Sequence, residues 1–474
     1  MQLLSEFINN AVSWVNNALY TYILVILLIA AGLYFTFRTK FAQFRLFGEQ
    51  IRAVTEKPAD GKGVSSFQAL MVSTASRVGT GNIIGVATAI CVGGYGAVFW
   101  MWVIAIIGCA SALVESTLAQ IYKRKSGDGA VGGPAYYIEA ALSSRPLAIL
   151  FSVFLILTYG FGFNMLASYN LQSTFSVYES IYNPTWTPWI IGFILAAIVC
   201  WCLMGGGKRV IRVTSFLVPV MGVAYIVVAL IVIGLNYKML PEVLSRIFSD
   251  AFDFRAIFGG VAGSCLMYGI KRGLFSNEAG VGSAPNASAS AEVSHPVKQG
   301  LVQMLSVFID TILICSATAF MCLCSGVEPY ATAAEAAKYV QDSLSNVFGA
   351  FGPLFITVAM ILFAFTTLLG NLYYVDRALI YLIGKEPGRG FMRAYHIIAS
   401  LVIFAGAGLS ADMLWNIADI TMGGMALINI PVILYLSKYA MRALKDYDRQ
   451  RGEGREPVFR ASNIDLPHKT DFWN

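Results

Sequence analysis

Ser73-Thr-Ala-Ser-Arg-Val-Gly-Thr-Gly-Asn82 lies inside the otherwise apolar stretch 66–91. A membrane-spanning helix satisfies its own backbone polar groups, because lipid offers no partner. Gly79 and Gly81 flank Thr80 and precede Asn82, which weakens such a helix at mid-depth. Unwound backbone at that depth is tolerated where it is buried in protein or lines a cavity, and secondary transporters build their sites this way. The stretch therefore predicts that residues 79–81 are non-helical, with amides facing a cavity. The plainer alternative is that the two glycines only let helices pack closely.

The rest of the composition agrees with a membrane setting. The 474 residues are 57% hydrophobic and 13% charged, with a mean hydropathy of +0.66. A soluble domain carries about 25% charge. The net charge of +6 is no sign of a nucleic-acid partner, because the basic residues gather in loops of one sidedness. The eight cysteines mostly sit in apolar stretches, where Cys acts as a small hydrophobe. With three histidines, a zinc-type centre is not expected. No cleavable leader is expected either, since the N-terminus lacks a basic region before the first apolar run.

Windows of about 20 apolar residues fall near 16–37, 66–91, 95–121, 146–177, 187–206, 211–235, 255–290, 299–325, 348–382, 392–408 and 411–438. The expected fold is an all-α polytopic membrane protein with eleven spans. Arg38 to Lys62, Lys123 to Arg145, Lys208 to Arg212, Lys298, Arg377 to Arg393 and the tail from Lys438 place most Lys and Arg on one side. By the positive-inside rule the N-terminus lies outside and the C-terminus inside, in a cytoplasmic membrane.

If the first helix is an accessory, ten helices remain, and five plus five inverts the second half. The expected units are 1–62 (accessory helix and loop), 63–237 (first repeat), 238–440 (second repeat) and 441–474 (tail). The second half opens on 255–290, which carries Tyr268-Gly-Ile-Lys-Arg-Gly273 and then Ser276-Asn-Glu-Ala-Gly-Val-Gly-Ser283. Glycine-interrupted segments in corresponding positions point to an inverted-repeat transporter site.

Ser76-Arg-Val-Gly-Thr-Gly-Asn-Ile83, Phe99-Trp-Met-Trp102, Gly132-Gly-Pro-Ala-Tyr-Tyr-Ile138, Lys271-Arg-Gly-Leu-Phe-Ser-Asn-Glu-Ala-Gly280 and Ala418-Asp419 resemble the alanine or glycine:cation symporters. The resemblance implies a leucine-transporter-like fold, sodium coupling and a small neutral amino acid as substrate. Phe163-Asn164-Met165-Leu166-Ala167 departs from the family's Gly-Asn-Met-Val-Gln, and so bears on which amino acid is carried.

An amino-acid zwitterion needs donors for its carboxylate and acceptors for its ammonium. The N–H groups of Thr80 and Gly81, at a half-helix N-terminus, suit the carboxylate. Carbonyls freed near Met267, Gly269 and Ile270 would accept from the ammonium. Asn164, Phe161, Met267, Ile270 and Trp415 are candidates to line the side-chain pocket, against a plain core role. Sodium prefers oxygen ligands, as hard cations do. The resemblance implies that Thr366 and Thr367 join the carbonyls of Ala75 and Val78 around one sodium; alternatively both hydroxyls bond back to their own helix. Asn82 either ligates a second sodium or caps the second half-helix. The intramembrane cations Arg77, Lys271 and Arg272 are expected to pair with Glu115, Glu278 and Asp310, statically or as a gate.

No cofactor is expected beyond sodium as coupling ion; the partners are an amino acid, sodium and lipid. A membrane enzyme is disfavoured, since no nucleophile or cofactor motif is present. A channel would draw its filter from several subunits, and a transporter-like receptor would need a signalling domain. Proton coupling remains the alternative to sodium.

Overall fold

The computed structural model describes residues 11–56, 63–127, 129–253, 264–467 and 470–473. Each apolar window holds helix. The helices used below are α1 (Ala11–Arg38), α2 (Phe47–Val54), α3 (Ser66–Arg77), α4 (Gly81–Gly93), α5 (Gly96–Ile121), α6 (Pro134–Leu142) and α7 (Arg145–Ser173). There follow α8 (Thr187–Leu203), α9 (Gly207–Leu235), α10 (Leu240–Ala251), α11 (Cys265–Asn277), α12 (Pro285–Ser288), α13 (Pro296–Leu323) and α14 (Ala336–Phe348). The last three are α15 (Phe351–Ile383), α16 (Arg389–Gly406) and α17 (Ala411–Gly452). A short hairpin, β1 (Arg124–Ser126) with β2 (Gly129–Val131), follows α5.

Among the described residues seven helices are long and apolar enough to cross a membrane, and α3 with α4 makes an eighth. The chain is a multi-pass membrane protein. The window 255–290 is described only from residue 264, so residues 255–263 of that expectation lie outside the described residues.

The first break is real but shorter than expected. A capping box opens α3: Ser65 Oγ accepts from the Gln68 N–H at 3.1 Å, and Gln68 Oε1 accepts from the Ser65 N–H at 3.0 Å. The helix ends at Arg77, Val78 leaves helical geometry with ψ 88°, and α4 departs at 52°. Only Val78 and Gly79 are non-helical; Thr80 and Gly81 already belong to the second half. The cause is Asn82. Its Oδ1 accepts from the Gly79 N–H at 2.8 Å, and its own N–H donates to the Gly79 carbonyl at 3.1 Å. This winds the chain again from Gly79 onward.

The second break is not where Tyr268–Gly273 suggests. Helix α11 is continuous from Cys265 to Asn277, so the carbonyls near Met267, Gly269 and Ile270 stay within it. Gly269 and Gly273 serve packing instead. A Cβ on Gly269 would come within 2.5 Å of the Ala97 carbonyl, and one on Gly273 within 2.6 Å of Ile104, both on α5. This is close small-xxx-small contact between helices. The chain unwinds at the next cluster, where Glu278, Gly280 and Gly282 have φ of 53°, 84° and 91° before α12 begins.

At the basic end of the bundle α17 continues past the apolar window to Gly452, and the residues after it fold back. The Phe459 N–H donates to the Ser294 carbonyl at 2.9 Å, and Ser294 Oγ donates to the Pro457 carbonyl at 2.8 Å. Lys298 reaches Glu456 at 2.5 Å and Glu56 at 2.7 Å. Trp473 Nε1 donates to the Gln120 carbonyl at 2.7 Å, and Phe459 and Trp473 are buried. The tail thus touches the end of α5 and the start of α13 with the residues just before it.

Candidate functional site at the two helix breaks

The two breaks are tied to each other by side chains. Ser76, one residue before the end of α3, has its Oγ 3.1 Å from Glu278 Oε1 and 2.6 Å from Asn371 Oδ1 on α15. Its single proton serves one acceptor at a time. Asn371 Nδ2 donates to Asn164 Oδ1 on α7 at 3.0 Å, and Ser283 donates to the other Glu278 oxygen at 2.6 Å. A second bridge runs through Asn82, whose Nδ2 donates to Asp310 Oδ1 at 2.7 Å and to Ser276 Oγ at 3.1 Å. Asp310 Oδ2 also accepts from Ser276 at 2.7 Å and Thr311 at 2.8 Å. All these side chains are buried.

Thr80 and Gly81 open α4, where no earlier turn supplies carbonyls for their N–H groups. The Thr80 hydroxyl accepts from Asn170 on α7 at 3.2 Å. Gly81 is needed for close approach: a Cβ there would stand 2.7 Å from the Phe275 ring. Phe275 packs on Phe163 at 4.5 Å and on Trp415 at 4.9 Å, between ring centroids. An anion-favouring half-helix terminus therefore sits under three aromatic rings, with Asn164 Nδ2 and Ala167 buried on α7 nearby in sequence to Phe163.

The adjacent threonines part company. Thr366 Oγ1 bonds back to the Leu362 and Phe363 carbonyls at 3.0 and 3.2 Å. Thr367 Oγ1 is buried with no hydrogen-bond partner among the described residues. It lies where a Cβ on Gly79 would overlap it, directly against the unwound residue. Ala75 and Val78 are buried beside it; a Cβ on Gly370 of α15 would press on the Ala75–Ser76 peptide at 2.6 Å from the Ser76 nitrogen. An oxygen without a partner next to the carbonyls at a helix end is a donor set suited to a hard cation.

Other expected residues sit apart. Met267 receives the Thr21 hydroxyl of α1 at 3.5 Å, Gly269 packs on α5, and Ile270 is buried. Phe161 is 39% exposed on the outer surface of α7 and does not line the site. The expected single charge network is also absent. Arg272 pairs with Asp419 at 2.7 Å, and Lys271 lies 3.9 Å from the same carboxylate. The Arg272 guanidinium covers the Trp415 ring at 3.9 Å, and Asn16 and Tyr20 of α1 hydrogen-bond to Asp419 at 3.4 and 3.2 Å. Arg77 donates to Gln303 instead, at 3.2 and 3.3 Å. Glu115 accepts from the Gly280 N–H at 3.3 Å and from Asn429 at 2.9 Å. The acids near the breaks thus take neutral donors, and the cations of α11 take Asp419.

Ser76, Phe163, Phe275 and Ser276 lie in stretches quoted from the sequence but were given no site role there, and Asn371 was not singled out at all. Asn371 had a signal: it lies one helical turn beyond Thr367 on the same face.

A family model described as the sodium:alanine symporter family matches residues 5–461. The chain belongs to the sodium:alanine symporter family. It is 42% identical to the amino-acid carrier protein AlsT of Bacillus subtilis over 99% of this chain and 98% of that one. It is also 42% identical to the probable sodium/glutamine symporter GlnT of the same organism, over 99% and 97%. Among solved structures it resembles MhsT in complex with L-phenylalanine, with a TM-score of 0.59 at 16% identity, over 82% of this chain and 93% of that one. This likeness gives the symporter a leucine-transporter-like fold.

Proposed function

We propose that this symporter carries a small neutral amino acid, such as alanine, glycine, serine or glutamine, into the cell together with sodium by alternating access. Family membership supports the transport class and sodium as coupling ion. The observation that carries the site assignment is the unpartnered, buried Thr367 hydroxyl against Gly79. In this reading one sodium takes Thr367 Oγ1 and the carbonyls of Ala75 and Val78. Thr366 is left out, because its hydroxyl is already bonded. A second cation takes Asp310, with Ser276, Thr311 and the Asn82 side chain around it. The substrate carboxylate sits on the N–H groups of Thr80 and Gly81, and its side chain meets Phe163, Asn164, Ala167, Phe275 and Trp415. The Arg272–Asp419 pair above Trp415 opens and closes the far end. The proposed layout is two inverted repeats, 63–237 and 238–440, in a cytoplasmic membrane with the N-terminus outside and the C-terminus inside. The asymmetry of basic residues supports it.

Proton coupling is the second reading, favoured by Asp310 being a buried carboxylate, a group that can carry a proton in place of a cation. Uptake of labelled alanine and glutamine into proteoliposomes decides. Accumulation driven by a sodium gradient at equal pH supports the first reading. Accumulation driven by a pH gradient and indifferent to sodium overturns it.

A further inference from the structure

A cavity of about 570 Å³ opens at the basic end of the bundle, between the β1–β2 hairpin, the start of α7 and the end of α15. Arg124, Lys125, Arg145 and Lys385 line it, with Glu139 and Glu386. The four cations outnumber the two carboxylates: Glu139 is paired with Arg124 at 3.5 Å, and Glu386 accepts from Ser126 Oγ at 3.5 Å. Arg145 and Lys385 have no carboxylate within 4.0 Å among the described residues. A cavity whose described lining carries four cations against two carboxylates suits an anion.

The surface running out of the cavity says which kind. Arg145 begins an i, i+4 ridge on α7 that continues as Ile149, Val153 and Leu157, exposed by 39%, 41% and 40%. These side chains face outward from a spanning helix. Twelve residues of helix cover about 18 Å, close to one leaflet of a hydrocarbon core about 30 Å thick. Basic pockets between spanning helices, at headgroup level, favour anionic lipid.

We propose that this cavity binds the headgroup of an anionic phospholipid whose acyl chain lies along the Ile149–Val153–Leu157 ridge. Free phosphate shares the headgroup chemistry but not the ridge. The site stands apart from substrate and coupling ion, and its test needs no transport.

The test places the intact protein in nanodiscs of phosphatidylglycerol and phosphatidylcholine mixed one to one. Native mass spectrometry then counts the lipids each protein retains. The expected result is roughly tenfold enrichment of phosphatidylglycerol in the most strongly retained lipid. That enrichment falls to near unity in Arg145→Gln/Lys385→Gln and survives in Arg145→Lys/Lys385→Arg. Equal retention of both lipids by the wild-type protein overturns the proposal, whether or not the variants fold. So does full enrichment in the double glutamine variant. A final arm adds millimolar inorganic phosphate: loss of the enrichment assigns the cavity to free phosphate, and unchanged enrichment supports the lipid.

Discussion

Thr366 and Thr367 are neighbours in sequence, but a helix turns them about 100° apart. One faces its own preceding turn and bonds back to it; the other faces Gly79 with its hydroxyl free. The sequence shows two equivalent oxygens, and only the helix rotation separates them. Thr367→Val is therefore expected to raise the sodium concentration for half-maximal uptake about tenfold, the scale of 1.4 kcal/mol. Thr366→Val is expected to change it by less than twofold. Equal effects of the two substitutions in purified protein would place the ion elsewhere. Ala167 gives a second prediction at this scale. It is buried on α7 next in the helical row to Phe163, where the family pattern has Gln. Ala167→Gln fills that volume, so the ratio of uptake efficiency for glutamine over alanine is expected to fall. One methylene in an apolar pocket discriminates by about 1–3 kcal/mol. A ratio unchanged in active protein removes Ala167 from the pocket.

Among the elements, the two broken segments show what a sequence can tell about glycine and what it cannot. The first break was legible because Gly-Thr-Gly-Asn interrupts an apolar run, though Asn82 restarts the helix sooner than composition implies. The second was placed one cluster too early. Gly269 and Gly273 are there because α5 comes close, whereas Gly280 and Gly282 are there because their φ is positive. Both demands select glycine, and the partner helix that separates them is about 170 residues away in the chain, roughly a span no local pattern reports. The pairing of Arg272 with Asp419 was hidden for the same reason: charges inside a membrane must find partners, but sequence order does not say which. The distinction between the glycines is testable. Gly269→Val forces a side chain onto α5 backbone and is expected to destabilise the fold by about 1–3 kcal/mol, read as a lower melting temperature. Gly81→Ala presses on a side chain rather than on backbone, so it is expected to lower melting less than Gly269→Val does and to impair uptake by displacing Phe275. Phe275→Leu in the same protein should restore part of that loss. A Gly81→Ala variant that transports normally would show that the contact with Phe275 yields freely.

For the molecule as a whole, the all-helical membrane architecture was readable in advance: among the described residues seven helices are long and apolar enough to cross a membrane, and α3 with α4 makes an eighth. The docked tail was not readable. A basic, polar segment after the last apolar window reads as a solvated extension, yet Phe459 and Trp473 are buried in it. Its Glu456 also finds a buried cation, Lys298. Glu456 is held below the usual carboxylate value of 4.5 by its hydrogen bond from Lys298. Its contribution to docking is therefore present at neutral pH and above 4.5, and is lost as pH falls through the lowered folded value. Limited proteolysis of the tail is expected to be slow at pH 7 and faster in strong acid, and fast at both in Glu456→Gln. Proteolysis equally slow in that variant would mean the aromatic contacts alone hold the tail. The same clasp has a consequence for speed. Alternating access at the basic end must lift the tail or carry it along. Lifting puts its contacts into the barrier between resting states, so those bonds are felt as activation enthalpy. Uptake should then climb steeply with temperature in the intact protein and more gently after deletion of residues 457–474, with the two rates converging on warming.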